Sequence, residues 1–159
     1  MKQEMIYGLY LGILVFVWML VMVFTGWYLN PTLLNFFYLV IAIQVALLIW
    51  SFRKTAATKS YGQQVVSGIV ISIIGGILIF FGSILITSDI TPNNFKDLEA
   101  MGREVLKHQE KTQAEIDNII AQSAPFQTSF MQALFGLIGT LVTGTLTSLV
   151  AAIFYRKRN

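Results

Sequence analysis

Long uncharged stretches alternate along this chain with short polar breaks. Residues 6–28 carry no charge and make 23 positions, enough for a helix rising about 1.5 Å per residue to cross a hydrocarbon core about 30 Å thick. Asn30 and Pro31 interrupt the pattern, and a second uncharged stretch, 33–52, ends at Arg53 and Lys54. A third covers about 65–88 after Lys59, and a fourth about 127–155 before Arg156, Lys157 and Arg158. Each stretch predicts a membrane-spanning helix. For the first, a cleaved leader is the competing reading, because Lys2 precedes an apolar run. That run is too long for a leader's apolar region and lacks a small-residue cleavage pattern at its end, so a retained span is preferred.

Small residues recur inside these stretches at four-residue spacing. Gly136, Thr140, Gly144, Ser148 and Ala152 share one stripe of the fourth, and Gly68, Ser72 and Gly76 share one of the third. Such stripes let two helix backbones approach closely. The two stripes can pack on each other within one chain or serve contacts between chains, and both uses stay open. Gly8 and Gly12 give the first span a shorter version of the same signal.

Between the third and fourth stretches the pattern reverses. Ten charged residues fall between Lys96 and Asp117. Phe95, Leu98, Val105, Ile116 and Ile119 keep a spacing near 3.5 residues, and Glu99 with Arg103 makes a favourable i, i+4 pair. A single long amphipathic helix over about 92–122, on the order of 40 Å, is expected outside the membrane. Pro92 is placed at its first turn, Thr91 or Asn94 is the expected cap, and Pro125 ends it.

Composition agrees with this reading. Of 159 residues, 55% are hydrophobic and 12% charged, and the mean hydropathy is +0.68, values of an integral membrane protein forming one domain over 1–159. The absence of cysteine excludes disulfides, thiolate metal sites and cysteine nucleophiles. The net charge of +3 sits mainly in Arg53, Lys54, Lys59 and the C-terminal Arg156, Lys157 and Arg158. Those positions set orientation rather than bind nucleic acid. With four spans they share one face with Lys2, which the positive-inside rule makes cytoplasmic, leaving residues 89–125 outside. Tyr7, Tyr10, Trp50, Tyr61 and Tyr155 fall near the inner boundary, and Trp27 and Tyr28 near the outer.

Several short motifs make the chain resemble a family of small four-helix bacterial membrane proteins, domain of unknown function 4199. These are Ile6, Tyr7 and Gly8 with Gly12; Tyr61, Gly62, Gln63 and Gln64 with Gly68; and Thr91 and Pro92 with Phe95. The resemblance covers most of the chain. It implies a four-span inner-membrane protein with a periplasmic helical insert, and it carries no catalytic or binding residues over.

Candidate chemistry is sparse. None of the four stretches as drawn contains Asp, Glu, Lys, Arg or His, groups that ion-coupled transporters place at membrane depth. Gln44, near the middle of the second span, is the principal buried polar candidate. Lipid offers an amide no partner, and a hydroxyl such as Ser72 or Thr143 is the expected one, a substrate or lipid contact the competing one. Thr140, Thr143 and Thr147 could line a polar groove or bond their own helix. Trp18 is expected to fill space in the bundle. Glu104 and His108 have the spacing of two metal ligands but lack a third, and so read as a solvated face. Ser123 and Ser129 have no triad partners, and the Gly75 and Gly76 pair lacks the residues of a phosphate loop. The basic ends are too few and scattered for a lipid-headgroup patch. No catalytic, metal or cofactor-binding residue is expected.

The fold expected is an all-α antiparallel bundle of four transmembrane helices with one long extramembrane helix. The function expected is that of a non-enzymatic assembly or accessory subunit in the bacterial inner membrane. Its partners would be the bilayer and a protein, or a second copy, met through the membrane helices and the 92–122 helix. The alternative is a channel or transporter for a small solute or lipid.

Overall fold

The computed structural model describes residues 2–157. Among the described residues six α-helices follow in order: α1 (Lys2–Phe24), α2 (Leu39–Thr55), α3 (Tyr61–Leu85), α4 (Asn94–His108), α5 (Gln113–Ser123) and α6 (Ser129–Phe154). Four segments are long and apolar enough to cross a membrane: Lys2–Phe24, Leu33–Thr55, Tyr61–Ile90 and Ser129–Phe154. The first begins four residues before the expected stretch and ends four residues sooner than expected. The second enters through a 3-10 turn at Leu33–Tyr38, and the third leaves through a π-helical turn at Ile86–Ile90.

α3 is the central helix, packing most extensively on α6 and α1, whereas α2 rests against α1 and α6 over a smaller area. Its two small-residue faces explain this. Toward α1, a Cβ on Gly75 would meet Leu11 at 2.7 Å and one on Gly82 would meet Phe16 at 2.6 Å, while Gly8 and Gly12 of α1 press on Ile74 and Leu78. Toward α6, Gly68 abuts Ser148, Gly76 abuts Leu137, and Gly144 abuts Ser72. The stripes of the third and fourth spans therefore meet inside one chain. Gly136, by contrast, has only Ile79 nearby, at 3.8 Å.

The end of the bundle where Lys2 and Lys157 lie, labelled inner for its basic residues alone, is closed by polar bonds. Gln64, fully buried, donates to the Phe52 and Tyr155 carbonyls at 3.2 and 2.7 Å and accepts from Thr55 Oγ1 at 2.9 Å, joining α2, α3 and α6. Lys59 Nζ pairs with Glu4 at 2.5 Å and donates to Ser67 at 2.6 Å. Span one thus carries a buried carboxylate, contrary to the charge-free expectation, because α1 starts earlier than its uncharged stretch. The Lys157 N–H donates to the Lys59 carbonyl, and Arg53 lies over the Tyr155 ring. Lys2, Arg53, Lys54, Lys59, Arg156 and Lys157 consequently gather at one end; Arg158 lies outside the described residues.

At the opposite end the expected single insert helix is corrected to two. α4 stops at His108, Glu110 turns the chain with φ 59°, and α5 starts at Thr112 with a capping box to Glu115. Arg103 bonds Glu99 within α4 at 3.0 Å and Asp117 across to α5 at 2.7 Å, so the insert is an antiparallel hairpin. The expected caps are also corrected. Asn93 precedes the first turn without a side-chain bond, and Thr91 instead donates to the Ile86 carbonyl at 2.9 Å, closing the π turn.

Candidate functional site

Where the inner half of α2 packs closely, its outer half stands away from the bundle. Leu47, Leu48, Ser51, Phe52 and Thr55 are buried, whereas Leu39 and Ile41 remain more than two-fifths exposed. On the facing stretch of α6 the residues are small: a Cβ on Gly139 would meet nothing within 4 Å. The result is a cavity of about 450 Å³ between α2 and α6, walled behind by Leu11, Val15 and Met19 of α1 and by Ile79 and Ser83 of α3. Phe95 and Leu98 of α4, with Phe126, cover its outer end. Tyr38, Ile41 and Phe135, all exposed, form its rim, and all three belong to the second and fourth spans. Its volume lies in the range of small-molecule sites, about 300–1,000 Å³.

The polar residues of this wall are Gln44, Ser83, Thr140 and Thr143, with Gln127, Gln132 and Tyr38 toward its mouth. Gln44, 4% exposed, donates through Nε2 to Ser72 Oγ at 3.2 Å and to the Thr140 carbonyl at 2.7 Å. A carbonyl can only accept, so this contact fixes which end of the amide faces α6. The expected Ser72 contact is present; the second partner is the backbone of Thr140, not the Thr143 hydroxyl. Thr140 Oγ1 is turned to its own helix, bonding the Gly136 carbonyl at 2.8 Å. Thr143 lines the cavity, while Thr147 is not among its lining residues. Ser83, missed in the sequence reading, is 3% exposed and lines the outer part of the wall. Among the described residues no Asp, Glu, Lys, Arg or His lines the cavity.

Other candidates fall elsewhere. Trp18, expected as bundle filler, donates from Nε1 to the Phe36 carbonyl at 3.1 Å and meets the Trp27 ring edge-on, joining an aromatic group at the outer end. Glu104 and His108 border a shallow groove on α4 facing Leu29 and Pro31, and among the described residues no three potential ligands cluster as a metal site. Ser129 accepts from the Ser88 hydroxyl at 3.2 Å and Ser123 donates to the Ile120 carbonyl at 2.9 Å. Gly75 and Gly76 are helix contacts within the bundle.

In the hairpin, the Arg103 guanidinium bonded to Asp117, aided by Gln113, holds that carboxyl below its ordinary range. The Thr112 N–H and hydroxyl do the same for Glu115. Burial pushes the Tyr28 phenol up, with a smaller push from the Asp97 charge. These charges organise the insert and stand apart from the cavity wall.

Comparison with known proteins adds the family but no chemistry. No curated protein and no solved structure matches the chain. Residues 6–157 match the family described as protein of unknown function (DUF4199). That match spans nearly the whole described chain, and the protein belongs to the DUF4199 family.

Proposed function

We propose that this small membrane protein binds one apolar, membrane-dissolved molecule in the cavity between α2 and α6, without catalysing a reaction on it. The observation that carries the reading is the cavity itself, about 450 Å³, mostly apolar and rimmed by exposed Tyr38, Ile41 and Phe135 of the second and fourth spans. A site with that aperture is reached from the bilayer, where apolar molecules are dissolved, rather than from water. The inner half of the bundle is filled by Leu48, Phe52 and Gln64, each fully buried, so the cavity ends blind. That favours binding over a conducting channel.

The setting of the reading is a bacterial inner membrane. The basic end of the bundle supports a cytoplasmic placement of both termini, and with it a periplasmic α4–α5 hairpin. An accessory-subunit role is the second reading, carried by the hairpin, whose Ile119 is 40% exposed. The small-residue faces of α3 and α6 are occupied by each other and offer it little. Unchanged co-purifying proteins after deletion of residues 95–121 would remove that role.

Photolabelling of the purified protein in lipid nanodiscs with a diazirine-bearing dodecane tests the binding reading. Labels should concentrate on residues of the cavity wall, and Gly139→Trp, at a position with open space around it, should abolish them. Labels scattered evenly over the lipid-facing surface, indifferent to Gly139→Trp, would contradict it.

A further inference from the structure

We infer that the molecule held in this cavity is a neutral lipid alcohol, bound with its hydroxyl at the inner end against Gln44 and Thr143. The inference rests on the proposed binding function and specifies the class of ligand. Its starting point is an unfinished hydrogen-bond account. Both Gln44 bonds use the amide nitrogen, to Ser72 and to the Thr140 carbonyl, and the second contact forbids exchanging the nitrogen and oxygen. The carbonyl oxygen is left without a protein donor among the described residues, although the side chain is 96% buried and lines the cavity. It is not sealed in the packed interior either, since the fully enclosed atoms without a partner do not include it.

The contrast with Gln64 is direct. That amide, on α3 at the inner end of the bundle, has its nitrogen and its oxygen both engaged by protein groups. At membrane depth no water is at hand to complete Gln44, and an unmet acceptor there is costly. Thr143, on the same wall, also has a hydroxyl with no protein partner among the described residues, unlike Thr140, which bonds its own helix. An acceptor and a hydroxyl together match a ligand hydroxyl, which donates to Gln44 Oε1 and accepts from Thr143 Oγ1.

Charge sets the rest. With no cationic or acidic side chain in the wall among the described residues, a carboxylate or phosphate at this depth would stand uncompensated. The apolar remainder of the ligand has room to extend outward. Ser72 contacts Gln44, and Ser83 lines the wall 11 residues further along α3, about 16 Å at the helical rise. A simple hydrocarbon would fill that space and leave Gln44 unmet.

Displacement of the diazirine-dodecane label from the full-length protein in nanodiscs by dodecanol, dodecane or dodecanoate tests this. Dodecanol should displace at a concentration at least about tenfold lower than dodecane, the net size of its hydrogen bonds to Gln44 and Thr143, and dodecanoate at pH 8 should be the weakest. Gln44→Leu should erase the advantage of the alcohol over dodecane. Because Gln44→Leu also removes two helix-joining bonds, Thr143→Val serves as the second variant and should reduce the same advantage with those bonds intact. Equal displacement by dodecanol and dodecane in the wild type would overturn the alcohol inference and leave the binding reading standing. Labelling that never reaches the cavity would overturn both.

Discussion

At the scale of single residues, the bundle depends on positions where no side chain fits. Gly144 faces Ser72 directly and lies so near Gln44 that a Cβ would sit 2.6 Å from Nε2. Gly144→Ala should therefore destabilise the protein by about 1–3 kcal/mol through overpacking, measured by reversible unfolding in mixed micelles. Gly139→Ala, with open space around it, should change stability by no more than about 0.5 kcal/mol in the same assay. Equal losses for the two would refute the packing described. Gln44→Leu and Ser72→Ala should not add: their double-mutant cycle should show a coupling of about 0.6–1.7 kcal/mol, the range of interhelical hydrogen bonds in membranes. The Gln44 to Ser72 bond was legible from sequence because a lone amide in an apolar span must find a hydroxyl, and few were in reach. The Thr140 carbonyl was not, since every residue carries one and nothing in the sequence marks which is used. Glu4 escaped notice for a different reason: it precedes the uncharged run, and only the helix start at Lys2 brings it against Lys59.

At the scale of elements, the insert is the most instructive segment. Its helical content was readable from amphipathic spacing, but the break at Gln109 to Thr112 was not drawn from it. A signal was present, because Thr112 followed three residues later by Glu115 is a capping box. The surrounding residues are all polar, so the hydrophobic stripe gave no phase change to mark the stop. Thr112→Ala should cost α5 about 1 kcal/mol, seen as earlier loss of helix on thermal unfolding. The hairpin should also loosen in acid. Asp117 and Glu115 are held below their ordinary values of 3.8 and 4.5. A carboxyl with a lowered folded value contributes stability above its unfolded value and loses it as pH falls through the folded one. Spin labels on Lys107→Cys and Ala114→Cys, clean because the chain has no cysteine, should give a narrow distance distribution at pH 7 that broadens below about pH 4. In Asp117→Asn the distribution should already be broader at pH 7. A distribution indifferent to both acid and Asp117→Asn would show that the Arg103 link does not hold the two helices together.

At the scale of the whole molecule, four spans, their order and the outer insert followed from runs of uncharged residues and the breaks between them. Their mutual arrangement did not. Small-residue stripes mark close contact without naming the partner, and the structure supplies it: α3 lies between α1 and α6, using one face of glycines for each. What the sequence could not announce is the cavity, which arises because α2 packs on its inner half only and because Gly136 and Gly139 leave the facing wall of α6 bare. Absence of side chains at two glycines is visible in a sequence, but the separation of two helices is not. The central claim is that this space holds a lipid-soluble molecule, and the most direct measurement is a crystal structure grown from a lipidic mesophase. The account predicts α2 and α6 apart at Gly139 and a continuous elongated density running outward from Gln44 toward Ser83. A cavity closed by α2 lying along α6 over its whole length, with no such density, would contradict it.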